Sequence, residues 1–453
     1  MIVPTNRLIL WTGIVFLPFA ILVAGVSSSS ALLMGGLVGI FISLVITDAI
    51  LAFGRLDGIR VELPEIIRLS KGRPAEIPVR IHNDKRILKE IRIGFSFSRE
   101  ILSENRDMMV ELPMDTELSS ITWPCTAVRR GKSVLKRCYI EASSPLAFWT
   151  YRAKIPIHTE IRVYPDIFRE KKDLSFLFQN RGIGVHSQRQ IGKGRDFEQL
   201  REYMPGDSYE DIHWKATAKR LYPVTKVFQI ERTQEIYIII DASRMSTRKT
   251  DGESSHDRTG HNQESTTIME MYISAALIMG LVTERLGDLF GYMAFSNNID
   301  RFMRAKRGKS HFNACRDALY TLKARKTSPD FSELFSFISM KIRRRSLLIF
   351  MTNLDDPVLA DSFIRHIDIL SKKHLILVSM LNAGAVRPLF TSPGVRSVND
   401  IYRNLGRHII WETLHDTEKR LKRRGIGFLL LDKEKMHTRL ISQYLNIKQK
   451  QIL

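Results

Sequence analysis

The chain has 453 residues, with 69 Lys+Arg against 48 Asp+Glu and a formal net charge of +21. Its 44% hydrophobic content excludes a wholly disordered polyelectrolyte, and its length accommodates two or three domains. Cys125, Cys138 and Cys315 are odd in number and show no metal or redox spacing, which argues against a disulfide scaffold and for a reducing compartment.

The N-terminus comes first. Residues 8–26 carry no charge, and residues 31–53 carry one, Asp48. A bilayer core of about 30 Å needs about 20 helical residues, so each stretch is long enough to span. Four serines separate them, too few for anything but a tight return, and the pair reads as a transmembrane helical hairpin over residues 1–57. A cleaved signal peptide with Arg7 as its basic region is the competing reading, and the second span directly behind it argues against cleavage. Arg7, Arg55 and Arg60 flank the hairpin while its turn is uncharged. That bias keeps both ends and the soluble bulk on the cytoplasmic side of the plasma (inner) membrane. Asp48 is expected to reach the interface near Arg55.

Residues 58–166 change pattern. Ile59-Arg60-Val61-Glu62-Leu63, Ile77-Pro78-Val79-Arg80-Ile81 and Ile91-Arg92-Ile93-Gly94-Phe95 alternate apolar with polar, and Lys71-Gly72-Arg73-Pro74 and His82-Asn83-Asp84 punctuate them. Period-two alternation with regular turns predicts a β-sandwich-like domain, structural or docking in role.

Residues 167–232 form a basic connector cut into turns by Gly, Pro and Asp. Tyr203, Trp214 and Phe228 stand among its charges, as on a surface that stacks nucleic-acid bases. Acidic residues are nearly as frequent here as basic ones, which favours aromatics as core anchors and charges paired locally. Phe197, Leu200, Arg201, Tyr203, Gly206 and Asp207, then Ile212 and Trp214, fall at fixed spacing. This run resembles the signature of the domain of unknown function 58 family. The resemblance implies two membrane helices, a β-rich segment, this connector and a von Willebrand factor A-like domain. Arg130-Gly131 and Val163-Tyr164-Pro165 fit the family's β-rich part, whereas Ser144-Pro145-Leu146-Ala147-Phe148 departs from its Asp-Pro-Phe-Gly-Leu. His213 stands where the family has Asp, so no catalytic role is assigned to it.

Residues 233–453 alternate strand-like and helix-like runs. Strands are expected at 235–240, 289–295, 346–351, 374–380 and 426–431, and helices at 267–286, 310–322, 329–341, 357–372, 412–424 and 433–445. The expected fold is an α/β, Rossmann-like, von Willebrand factor A-like domain: a mostly parallel sheet, one antiparallel edge, helices on both faces. Ligands of such sheets bind beyond the carboxyl ends of the strands. The first strand ends in Asp241-Ala242-Ser243-Arg244-Met245-Ser246, an oxygen-rich run of the kind that holds Mg²⁺. The von Willebrand resemblance implies a metal-ion-dependent adhesion site, Asp-x-Ser-x-Ser. Asp241 and Ser243 match, Met245 replaces the second serine, and Ser246 lies one residue late. Asn353 stands where a second acid belongs, with Asp355 close by, and Thr327 is the candidate distal threonine. The expected metal set is Asp241, Ser243, Ser246, Thr327 and Asp355, a degenerate site weighed against a simple turn-capping role for Asp241. Residues 245–265 read as a polar, mobile insertion, whose His256 and His261 no helix presents together.

Enzyme motifs fail. Gly308-Lys309-Ser310 lacks the earlier glycine of a phosphate-binding loop, which is Met303 here, and no nucleophile elbow or paired-Cys zinc pattern occurs. The expectation is a non-enzymatic, membrane-anchored interaction protein. The family resemblance implies work beside a MoxR-type AAA+ ATPase in assembly or maturation of envelope or secreted proteins. Two alternatives stay open: an enzyme using Arg201, Asp207 and His213, and a binder of nucleic acid or anionic lipid using Arg343-Arg344-Arg345 and Lys422-Arg423-Arg424.

Overall fold

The computed structural model describes the chain apart from residues 26–27, 167–190, 206, 230–233, 251–265, 383–385, 387–397 and 451–453. It divides into two compact units, residues 1–166 and 167–453.

The first unit begins with a short strand, β1 (Ile2–Pro4), and two apolar helices, α1 (Asn6–Gly25) and α2 (Ser28–Ala52). Within α2, Gly35–Ala52 is long and apolar enough to cross a bilayer, and it leaves Leu37, Ile40, Ile46 and Ile50 exposed. The apolar stretch Asn6–Ala20 of α1 is shorter. Asp48 does not reach out toward Arg55. It is 1% exposed and accepts from Ser144 Oγ at 2.5 Å, Leu146 N at 3.0 Å and Phe148 N at 3.3 Å. The loop it holds includes Ala147 at φ +58°, a left-handed conformation that favours glycine. Trp149 Nε1 donates to Val45 O at 3.0 Å, and β1 pairs with Trp149–Tyr151 register for register.

Nine strands follow: β2 (Ile59–Glu62), β3 (Ile66–Ser70), β4 (Pro74–Asn83), β5 (Glu90–Phe95), β6 (Ile101–Leu102), β7 (Asp107–Glu111), β8 (Leu118–Ala127), β9 (Gly131–Ser143) and β10 (Trp149–Tyr164). One sheet runs β1-β10-β9-β5-β7 with β3 alongside β10, and the other runs β2-β4-β8-β6. Among their named pairs only β3/β10 is parallel. Alternation puts Ile77, Val79 and Ile81 inside at 0% exposure, against Ile91, Ile93 and Ile140 of the facing sheet. Trp123 fills the centre edge-on to Phe95, and its Nε1 finds Ser103 Oγ at 2.8 Å, so the one polar atom it buries is satisfied. Cys125 and Cys138 are buried free thiols whose pKa burial pushes up to about 11 and about 12, so they pack rather than react.

The second unit opens with β11 (Ile191–Glu202), α3 (Trp214–Arg220) and β12 (Val224–Gln229). The connector is therefore more than turns: β11 and β12 form an antiparallel ladder with two register shifts. Next come β13 (Glu235–Asp241), α4 (Ile268–Arg285), β14 (Leu289–Phe295), β15 (Ile299–Lys306), α5 (Lys309–Leu319), α6 (Phe331–Lys341), β16 (Leu347–Met351), α7 (Pro357–Ser371), β17 (Leu375–Asn382), α8 (Val398–Lys422), β18 (Gly427–Asp432) and α9 (Met436–Gln449). The sheet order is β15-β14-β13-β16-β17-β18, with four parallel neighbours and β14/β15 antiparallel. Among the described strand pairs most are antiparallel, and the parallel ones are those of this sheet and β3/β10. On one face Ile236, Ile238 and Ile240 pack with α4, α5 and α9. On the other, Tyr237 and Ile239 pack with α6, α7 and α8. A strand buried on both faces is a continuous apolar run, and β13 is one.

Candidate functional site

The centre of the α/β sheet is β13, flanked by β14 and β16, and the chain reverses direction of winding there. Its carboxyl end is where a ligand of this topology sits. Asp241 ends the strand. Its Oδ1 accepts from Ser243 N at 2.8 Å, a local turn that lifts the chain off the strand, and its Oδ2 accepts from Thr352 Oγ1 at 2.7 Å. Ser243 Oγ accepts from Met245 N at 3.3 Å and caps a single helical turn over Arg244–Thr247. Ser246 Oγ donates to the Asp241 main-chain oxygen. Residues 325–327 cross over this loop: Arg325 N donates to Ala242 O at 2.7 Å, and Arg244 N to Thr327 O at 2.9 Å. On the next strand Asn353 Oδ1 accepts from Tyr272 OH at 3.0 Å.

The five expected ligands thus come together only in part. Asp241, Ser243 and Ser246 share one loop, and Thr327 reaches it by its main chain. Asp241 and Ser243 are 0% exposed. Burial pushes the Asp241 carboxyl upward, opposed by the hydrogen bonds from Ser243 and Thr352. Asp355 is ion-paired with Arg248, whose Nη2 also lies 3.6 Å from Met245 Sδ. Thr327 Oγ1 and Asp355 Oδ1 are buried atoms without a hydrogen-bond partner. The donor set does not fit Mg²⁺. Both Asp241 oxygens are engaged, Ser246 is spent on a carbonyl, the fifth position is a thioether, and a guanidinium occupies the acid that would balance the ion. Among the described residues no group of three His, Cys, Asp or Glu side chains could hold a metal. His256 and His261 lie outside the described residues, as does most of the polar insertion. Its first residues are ordered, with Met245 and Ser246 buried and Lys249 bridged to Thr267. Sequence reasoning missed Thr352 and Arg248. Thr352 could have been found, since it follows Met351, the register partner of Ile240; Arg248 had no signal.

The connector builds a second feature. Arg201 Nη2 pairs with Asp207 Oδ1 at 2.5 Å, and Asp207 Oδ2 accepts from Met204 N at 3.0 Å. The Met204 N–H first, then the Arg201 charge, hold the Asp207 carboxyl below its usual range. His213 caps α3, its Nδ1 accepting from Ala216 N at 3.0 Å, which is work an aspartate does equally well. Ile212 and Val224 are buried beneath. Arg201 and Asp207 form one local ion pair, but the aromatics are not all core anchors: Trp214 is 69% exposed and Tyr209 76%, with Leu221 and Met204 also exposed. Tyr203 stacks on Tyr209 with centroids 5.9 Å apart. The side chain of Phe197 and all of Gly206 lie outside the described residues.

Residues 199–384 match the model of the family described as "Protein of unknown function DUF58". The matched stretch is about two fifths of the chain. The match takes in the Arg201–Asp207 turn, Trp214 and the whole loop around Asp241. A search of the curated proteins finds no match. Among solved structures the chain is similar to the SpRpn10 VWA domain, at 11% identity and TM-score 0.27, covering 47% of this chain and 95% of that one. It is similar to the PilB minor pilin from Streptococcus sanguinis, at 10% identity and TM-score 0.33, covering 90% and 96%. It is also similar to an uncharacterized membrane spanning protein from Vibrio fischeri, at 14% identity and TM-score 0.19, covering 48% and 98%.

Proposed function

We propose that this chain is a non-enzymatic, membrane-anchored protein-interaction module whose docking surface is the signature segment beside the α/β domain. One observation carries this reading: the segment exposes Tyr209, Trp214 and Leu221 on a framework fixed by the Arg201–Asp207 pair and the buried Ile212. Exposed aromatics on a rigid backbone give large contact area at low entropic cost, and tryptophan and tyrosine dominate binding energy at protein interfaces. Of the residues of the enzyme alternative, Arg201 and Asp207 pair with each other and His213 caps a helix through Nδ1, which supports the non-catalytic reading.

In this proposal α1 and α2 both span, and the soluble units lie on the cytoplasmic side of the plasma membrane, with Arg7 and Arg55 as the retained flanks. The partner is a MoxR-type AAA+ ATPase, and the process is assembly or maturation of envelope or secreted proteins. Crosslinked pull-down of the intact protein from membranes tests it. Wild type should recover an AAA+ ATPase, and Trp214→Ala and Tyr209→Ala should each reduce recovery about tenfold while leaving thermal stability unchanged, as expected of exposed anchors. Full recovery with both variants would refute the surface. The exposed Trp214, on a short helix that also carries Lys215, Lys219 and Arg220, also supports a nucleic-acid reading. Steeply salt-dependent DNA binding lost in Trp214→Ala would select that one instead.

A further inference from the structure

The misfit at the carboxyl end of β13 has a pattern. The two positions that spoil the metal set, Met245 and the displaced acid Asp355, are joined by one side chain. Arg248 Nη1 donates to Asp355 Oδ2, and its Nη2 points to Met245 Sδ. A thioether repels a hard divalent ion but lies comfortably against the flat, weakly hydrated guanidinium. A largely buried aspartate left without a counter-charge is unfavourable, and the permanent positive charge of Arg248 removes that cost. The guanidinium also remains open to solvent: its side chain is 47% exposed, whereas that of Asp355 is 18% exposed. Three of its five N–H donors are left for groups outside the pair, and a planar fork matches a carboxylate.

We propose that Arg248 takes the place of the divalent cation, making this a metal-independent site for an acidic group of a partner, of the class of a glutamate or aspartate side chain. Asp241 then positions the loop, through Ser243 and Thr352, and takes no part in contact. The proposal extends the docking reading to a second surface and is tested apart from it, because its probes are Mn²⁺ and an acidic peptide, not the recovered partner.

The full chain in detergent is titrated with Mn²⁺, and separately with a fluorescent oligo-glutamate peptide. Three results are expected: no saturable Mn²⁺ binding, peptide binding unchanged by EDTA, and about tenfold weaker peptide binding in Arg248→Glu. Arg343→Glu, the same charge change at an exposed site, serves as the control and should bind as wild type. Arg248→Lys keeps the charge and loses the fork, so it should fall between. Saturable Mn²⁺ binding that Asp241→Ala abolishes would overturn the proposal. So would absence of peptide binding, peptide binding that requires a metal, or equal losses in Arg248→Glu and Arg343→Glu.

Discussion

Single residues here do their work by being satisfied. Asp48 is a charge on an apolar helix, yet it gathers three donors from the 144–148 loop and is sealed by them. Removing it strands a hydroxyl and two N–H groups in a buried place. Asp48→Ala should therefore cost about 3 kcal/mol in thermal unfolding of the full chain in detergent. His374 is the opposite case: buried at 4% exposure, neither ring nitrogen has a partner. Burial, with the Lys373 charge second, lowers its pKa from 6.5 to about 4, and burial lowers His437 likewise to about 4. The unfolded chain takes up these protons near pH 6.5 and the native one only near pH 4. Stability is whole above about pH 6.5 and falls as the pH drops through that window. His374→Leu should flatten the fall, as read from Tm against pH, and an unchanged slope would assign the dependence to other groups. Asp241 belongs with Asp48, and the sequence could not reveal it, because Asp-x-Ser reads alike whether its oxygens face a cation or a neighbouring threonine.

Elements of the α/β unit were legible because each buried strand is a short apolar run closed by turns. The hairpin strand expected at 289–295 is β14 residue for residue. The tightest packing was not legible. A Cβ on Gly291 would stand 2.7 Å from the Tyr237 ring and 2.8 Å from Ala305 N and Met303 O. Backbone atoms of β15 cannot give way, so Gly291→Ala should cost about 3 kcal/mol and loosen the β14/β15 edge, measurable by chemical denaturation and amide exchange. The helix expected at 412–424 in fact starts at Val398. Its added length carries Ile401, Tyr402, Leu405 and Ile409 on the outside at helical spacing, and a core-seeking pattern search gives no credit to an apolar stripe facing away from the core. The β11/β12 ladder was missed for a related reason. Its strands hold Lys, Arg, Asp and Glu with no strict alternation, and the pairing slips twice.

At the scale of the molecule, the sandwich begins before residue 58. β1 supplies an edge strand to β10, and α2 supplies the carboxylate that shapes the turn into β10. A fragment of residues 58–166 loses both and should unfold at least about 5 °C below residues 1–166 held in detergent, at a cost of about 1 kcal/mol or more. Equal midpoints would show the sandwich to be self-sufficient. The net charge of +21 acts at the same scale, drawing the protein toward acidic surfaces without choosing among them.

Strand β10 has one further consequence. Its first residues are gripped from two sides, by the stretch that leads into the first apolar helix and by the end of the second. A flexible leash would let the sandwich swivel freely on the helices. Two feet clamped to the same strand make a lever instead: any tilt of the helices turns the sandwich with them, and any torque on the sandwich is felt in the helices.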